Sequence, residues 1–388
     1  MEILFWILIA ILIYSYIGYP LLIFCLSWVI KTVVRKKEDH YLHYEPHVTL
    51  FVSAYNEIDY VHQKAANSFE LDYPKDKLHL IWITDGSTDG TNLELKKYPE
   101  IKVYHENERK GKVNAINRGM QFVDTPLVVF SDANSMLNKN CIRAIVHEFK
   151  DKTTGCVAGE KRIIPYVKDN AVSSGENLYW KYESLIKQCE SNINSTIGAV
   201  GELFAIRSEL FTEIENDTIL DDFVISLSIA QKGFKIKYTS DAFAEERASE
   251  NINEELKRKI RIGFGAFQTL FRLKGLLNPF NNPFLTFQYI SHKVIRWAII
   301  PFVLPLLFVL NIFLVYSNPN ELYLILLSIQ IVFYLFVLIG FSMQTNKIKM
   351  KIIFSPYYIF IMNYSLIIGF IRYIKKTQSV NWERAKRG

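Results

Sequence analysis

Hydrophobic and polar residues are segregated along this chain. From Ile3 to Ile30 no charged residue occurs. About 20 apolar residues cross a bilayer as a helix, so this run predicts one span, bent near Pro20. It is too long for a cleaved leader, Glu2 stands where a leader carries basic residues, and no small-residue cleavage site follows. Three further apolar segments, at 298–316, 322–341 and 352–371, lie beyond a polar middle. Within that middle, short runs rich in Val, Ile and Phe alternate with stretches of helical period. Residues 47–54, 78–84, 101–104, 127–131 and 156–163 read as strands, and 58–70, 91–97, 112–122 and 139–149 as helices. Such alternation predicts βαβ units and a largely parallel sheet covered by helices on both faces. Ligands of such sheets bind beyond the carboxyl ends of the strands.

Charge orients the apolar runs. Lys31, Arg35, Lys36 and Lys37 follow the first run directly. Basic residues beside a span stay in the cytoplasm, which predicts an external amino terminus and a cytosolic middle. Asn318-Pro319-Asn320-Glu321 lacks Lys and Arg, as an external loop should, and Lys347, Lys349 and Lys351 then return inside. A complete third crossing would put Arg372, Lys375, Lys376, Arg384, Lys386 and Arg387 outside. An interfacial or re-entrant segment with an internal tail is therefore expected. The expected parts are a span at 1–31, a cytosolic α/β domain at 46–250, amphipathic helices at 251–296, spanning or re-entrant helices at 297–374 and a basic tail at 375–388. The chain would be a multi-pass protein of the cell (inner) membrane.

Composition adds little. The net charge of +6 is modest and no long basic arm is present, so membrane lipids and phosphates are better partners than nucleic acid. Cys25, Cys141, Cys156 and Cys189 are scattered, without metal-site or disulfide-framework spacing. No GxGxxG opens a helix after a strand, which argues against a dehydrogenase. The apolar segments, so bounded, carry no ionisable residue to mark a transport path.

Three strand ends carry polar clusters: Ser53-Ala54-Tyr55-Asn56-Glu57, Thr84-Asp85-Gly86-Ser87-Thr88-Asp89-Gly90-Thr91 and Ser131-Asp132-Ala133-Asn134. Any one could be a turn with a helix cap, and Ser87, Asp89 and Thr91 read equally well that way. Three at successive strand ends point to a site.

At these residues the chain resembles the inverting glycosyltransferase family 2, in particular its membrane-integrated members related to cellulose, hyaluronan and poly-N-acetylglucosamine synthases. The resemblance runs from about Pro46 to Arg272 and implies a GT-A fold, with a Rossmann-like nucleotide-binding half and an acceptor-binding half. It implies that Tyr55 and Glu57 line the nucleoside pocket and that Asp85 contacts base or ribose, with Thr84 where many relatives carry a second acid. Lys112, in Arg109-Lys110-Gly111-Lys112, would lie near the nucleotide-sugar donor. Asp132 and Asn134 would take the DxD role and hold Mg²⁺ or Mn²⁺, with a carboxamide in place of one carboxylate. Asp222, after Asp221, would be the general base, although acids also favour helix starts by capping and dipole effects. Gly201 and Glu202 would line the acceptor side together with Asp221. Arg207 is either a further contact there or an ordinary strand charge. Arg261 would face the diphosphate, while Arg258 and Ile262 replace the glutamine and tryptophan of the Q-x-x-R-W motif, which puts chain elongation in question.

Leu256, Ile260, Phe264, Phe267 and Phe271 follow helical spacing. They read as an amphipathic helix in the membrane interface, or as one packed on the domain's own core. The activity implied is transfer from a nucleotide-diphosphate sugar, UDP-linked as a first expectation, to a lipid-linked or growing saccharide. A processive synthase and a non-catalytic nucleotide-sugar-binding protein are the alternatives. A homo-oligomer or other glycan-assembly proteins would be further partners.

Overall fold

The computed structural model describes residues 1–33, 44–164, 171–248, 252–346 and 351–379. The basic residues at 35–37, 347 and 349, the junction at 249–251 and the tail beyond 379 lie outside them.

In chain order, helix α1 (Glu2–Val33) precedes β1 (Val48–Ala54), α2 (Ile58–Phe69), β2 (Leu78–Asp85), α3 (Thr91–Leu95), β3 (Ile101–Glu106), α4 (Lys112–Met120) and β4 (Leu127–Asp132). Then come β5 (Met136–Leu137), α5 (Cys141–Glu148), β6 (Thr154–Ile164), α6 (Ala171–Ile193), β7 (Leu203–Arg207), α7 (Asp221–Gln231), β8 (Lys235–Arg247) and α8 (Ile252–Arg272). Helices α9 (Pro283–Ser317), α10 (Glu321–Asn346) and α11 (Lys351–Lys375) complete the described chain.

The strands form one sheet in the order β3-β2-β1-β4-β7-β6-β8-β5. β3, β2, β1 and β4 are parallel, and β7 joins β4 antiparallel, Leu203 opposite Ser131. The central strands are buried on both faces, which is why they read as unbroken apolar runs. Phe51, Ile83 and Phe130 belong to one core layer, and Leu50, Trp82 and Val129 to the other. The reversal at β4/β7 brings the end of β4, with Asp132, beside the turn that opens β7, with Gly201 and Glu202.

Four helices are long and apolar enough to cross a membrane. α1 and α9 run antiparallel: Phe5 and Leu8 pack with Leu307 and Leu314, and Tyr14 Oη bonds Ser291 Oγ at 2.7 Å. Their far ends meet at Glu2, whose carboxylate accepts from Asn318 Nδ2 at 2.8 Å and from Tyr323 Oη at 3.2 Å. The boundary expected at 296/297 falls inside α9, which continues from Pro283 to Ser317. Its charged turn is buried because Glu183 of α6 receives Lys293 at 3.0 Å and Arg296 at 2.5 Å.

α8 packs against protein along its apolar stripe. Ile260, Phe264 and Phe267 are buried, and of the stripe only Phe271 is largely exposed. α11 covers α8 in parallel, with Phe267 on Phe370 and Phe271 on Tyr373. Gly263 and Gly369 allow the approach: a Cβ at Gly369 would lie 2.5 Å from the Gly263 carbonyl carbon. Packing on the protein itself, the second reading of the α8 stripe, is what the fold uses.

Candidate active site

Two connected hollows lie beyond the carboxyl ends of β1, β2 and β4. The smaller, of about 50 Å³, is a cleft bounded by Tyr55, Glu57, Asp85, Asp132 and Asn134. The larger, of about 640 Å³, lies between the sheet domain and α1, α8, α9 and α11. Lys112 and Asp132 line both.

The cleft is built by loop stitching. Asp85 is buried at the end of β2, and its carboxylate accepts from the backbone N–H of Lys110 at 3.1 Å and of Gly111 at 2.7 Å. It thereby holds the loop that starts α4. Gly86 adopts φ +65°, and a Cβ there would meet Arg109 N at 2.7 Å, so glycine is required for this approach. The Arg109 guanidinium lies 3.8 Å above the Tyr55 ring. Ser87, Asp89 and Thr91 bind neighbouring loop rather than open space: Asn56 N–H donates to Ser87 Oγ, Ile58 N–H to Asp89 and Glu57 N–H to Thr91 Oγ1.

At the junction, Lys112 Nζ is 2.9 Å from Asp132 Oδ1 and 3.5 Å from Asp221 Oδ2. Burial works against the ammonium form of Lys112, but Asp132 and Asp221 outweigh it and raise its pKa. Asp222, at the start of α7, faces the larger cavity. Burial first, then the charge of Asp221, push its carboxyl up to about 7, with Lys112 pulling the other way. Gly201 sits between the two: a Cβ there would be 3.6 Å from Lys112 Nζ and 3.7 Å from Asp222 Oδ2. Arg261 also lines the cavity; burial lowers its pKa, Asp221 opposes that and Arg109 adds to it.

The expected site residues therefore converge, with two qualifications. Glu202 is tied to Lys161, which also pairs with Glu246 at 2.5 Å. Arg207 points away and donates to the carbonyls of Thr154 and Phe149. It ties the end of β7 to the start of β6 and is not an acceptor contact.

Oxygen ligands for a cation come from two sets. Carboxylates of Asp132, Glu202 and Glu246 approach within 4.8 Å of one another, but the last two are already paired with the Lys161 ammonium. Asp132 keeps one oxygen clear of Lys112, and Asn134 borders the same cleft. A carboxylate and a carboxamide, completed by phosphate and water oxygens, fit a hard divalent ion.

Several participants were not foreseen. Lys64 is fully buried beneath the Asp132 loop and donates to Ser131 Oγ at 2.7 Å and to the Ser135 carbonyl at 2.5 Å. Burial pulls its pKa down to about 7. Its signal was present, since it shares the buried stripe Val61, Ala65, Ser68 of α2. Lys161 likewise interrupts an inward-facing row of β6. The cluster of Glu183, Lys187, Glu190, His292, Lys293 and Arg296 joins residues about a hundred positions apart and had no local signal.

Comparison with known proteins accords with this geometry. Residues 49–214 match the family model for glycosyl transferase family 2. The match ends before Asp221, Asp222 and Arg261. Poly-beta-1,6-N-acetyl-D-glucosamine synthase of Staphylococcus aureus (strain MSSA476) is 25% identical over 254 residues, covering 63% of this chain and 60% of the relative. The namesake from Staphylococcus epidermidis is 24% identical over 236 residues, covering 58% of this chain and 56% of the relative. The chain thus spans about three fifths of the length of these relatives. A mannosyltransferase from Pyrobaculum calidifontis, solved with GDP-Man and Mn²⁺, aligns over 97% of this chain and 100% of its own, with a TM-score of 0.73 and 22% identity. At that identity the likeness is one of fold, and the fold is GT-A.

Proposed function

We propose that this chain, which carries a glycosyl transferase family 2 domain, is an inverting glycosyltransferase of cell-surface glycan or exopolysaccharide synthesis. The observation that carries the reading is the junction of the two hollows. A donor diphosphate in the cleft and an acceptor in the large cavity would meet at Lys112 and Asp132, with Asp222 facing the acceptor. Tyr55, Glu57 and Asp85 would bound the nucleoside side, and UDP-sugars are the first donors to test.

Asp222 would accept the proton of the acceptor hydroxyl. The hydroxyl oxygen would bond to the anomeric carbon on the face opposite the leaving group, as the bond from that carbon to the diphosphate oxygen breaks. A carboxyl raised to about 7 is suited to this, being ionised yet basic near neutrality. Lys112 and Arg261 would stabilise charge on the departing nucleoside diphosphate. Asp132 and Asn134 would hold Mg²⁺ or Mn²⁺, which when bound neutralises the diphosphate oxygens.

Burial of the α8 stripe by α11 supports a membrane arrangement in which α1, α9 and α10 cross. α11 then lies beside α8 at the cytosolic face, its outer residues Tyr364 and Ile374 exposed to lipid. That arrangement keeps Lys375 and Lys376 inside, in accord with their charge. Elongation by successive sugars is a second reading. It is favoured by Trp180 and Trp297, which line the cavity and offer flat stacking faces that Ile262 does not.

UDP release from a panel of UDP-sugars with Mn²⁺ and native lipid extract tests the proposal. Wild type should turn over, and Asp222→Ala should bind donor without turnover. Equal donor binding with no turnover by wild type for any donor and acceptor extract would refute the enzyme reading.

A further inference from the structure

Lys187 lies at the middle of α6 and lines the large cavity, with only 4% of its surface exposed. On a helix its natural partners stand four residues before and three after, at Glu183 and Glu190. Both are consumed elsewhere. Glu183 receives His292 at 3.1 Å, Lys293 at 3.0 Å and Arg296 at 2.5 Å. Glu190 receives Tyr19 Oη at 2.5 Å and His292 at 2.8 Å through one oxygen, and Thr196 Oγ1 and Ile197 N at 3.2 Å through the other. Among the described residues the Lys187 ammonium has no hydrogen bond and no ion pair. A buried ammonium with carboxylates near it but no direct ion pair or hydrogen bond is costly to hold.

We propose that the Lys187 ammonium is a binding site for a phosphoryl group carried by a lipid-linked acceptor, on the acceptor side of Asp222. The position separates it from the donor side. The charges that act on Lys187 are those of Lys293, Glu183, Asp222 and Glu190, whereas Lys112 answers to Asp132 and Asp221 and, more weakly, to Asp222. Asp222 thus stands between a donor-side lysine and an acceptor-side one. The wall formed by α11 favours a lipid over a soluble anion, because Ile359, Met362 and Leu366 line it. An acceptor whose phosphoryl group engages Lys187 and whose chain lies along α11 would present its sugar hydroxyl towards Asp222. Burial pulls Lys187 down to about 8, and a phosphoryl partner would restore its ammonium form.

This inference rests on the acceptor side assigned above, but its test does not require turnover. Full-length protein in nanodiscs of neutral phosphatidylcholine would be titrated with dodecyl phosphate, with quenching of the Trp180 and Trp297 fluorescence as the signal. Dodecyl maltoside and inorganic phosphate serve as comparisons. Dodecyl phosphate should bind wild type and Lys187→Arg alike and Lys187→Met about tenfold or more weakly, as expected for a charge-assisted hydrogen bond in a buried site. Lys187→Met should melt no lower than wild type, since it removes an unpaired buried charge and keeps the aliphatic stem. Equal binding by Lys187→Met and wild type overturns the proposal. Competition by inorganic phosphate as strong as that by dodecyl phosphate overturns its lipid part. Failure of UDP release from every donor would instead count against the glycosyltransferase reading alone.

Discussion

Asp222→Asn separates the chemical role of this carboxylate from its structural cost. Its acidity moves from an ordinary 3.8 to about 7, chiefly through burial and then through Asp221. A displacement of about three pH units corresponds to roughly 4 kcal/mol of penalty on the ionised form. The sign follows from linkage. A carboxyl raised in the folded state favours folding in full below its unfolded value near 4, and that contribution is lost as pH rises to about 7. The asparagine variant carries no such penalty. Its melting temperature in detergent should match wild type near pH 4, exceed it increasingly up to about pH 7 and hold that margin above. Meanwhile kcat should fall by about 10²–10⁴, the usual worth of a general base. In wild type, kcat/KM should drop about tenfold per pH unit below 7, as the base becomes protonated. UDP release followed from pH 5 to 9, beside melting curves over the same range, reads both effects. A variant within tenfold of wild-type kcat, or a wild-type profile flat through 7, would refute the assignment of Asp222 as base.

Other expectations follow from the same geometry. Lys112→Met removes the cation shared by Asp132 and Asp221 and should weaken UDP binding by about tenfold or more, read by calorimetry. Removal of divalent ions with EDTA should abolish turnover. Mn²⁺ or Mg²⁺ should restore it, and Asn134→Asp should lower the metal concentration needed. Gly263→Val would force its side chain into the Ser365 carbonyl, 2.7 Å from the Cβ position, and should part α8 from α11 with a clear fall in melting temperature. Glu183→Gln leaves Lys293 and Arg296 buried without a carboxylate and should cost about 3–5 kcal/mol, measured by denaturant unfolding in detergent.

Much of the sheet domain was legible because its signals are local. Each expected strand from 47–54 to 156–163 has its counterpart in β1 to β4 and β6, since parallel strands covered on both faces must be apolar runs. The strand-end clusters were legible as a site for the same reason: a parallel sheet gathers its strand ends on one side. Cross-strand order was not legible. β8 mixes short polar and apolar runs over 13 positions and carries Glu246 inward, and its place beside β6 is set by long-range pairing. Without that pairing nothing in the sequence connects Lys161 to Glu246. Ser87, Asp89 and Thr91 were readable either way, because a residue that caps a helix and one that faces a ligand present the same side chains at the same loop positions.

The charged turn of α9 is where reading by segment fails for a physical reason. A hydropathy window scores Lys293 and Arg296 as reasons to start the span later, at 298. In the fold both cations are paired with one carboxylate, Glu183, from a helix of the sheet domain. The ion pairs also carry a consequence for architecture. Such pairs stabilise little against an apolar alternative, but their geometry is specific and their disruption is expensive. They fix α9 to α6 in one register, and α6 bears Lys187 while α9 bears Trp297. The apolar helices therefore do more than flank the sheet domain. Through this cluster they build one wall of the cavity that Asp222 faces, and a change in α9 should be felt at the acceptor before it is felt at the donor.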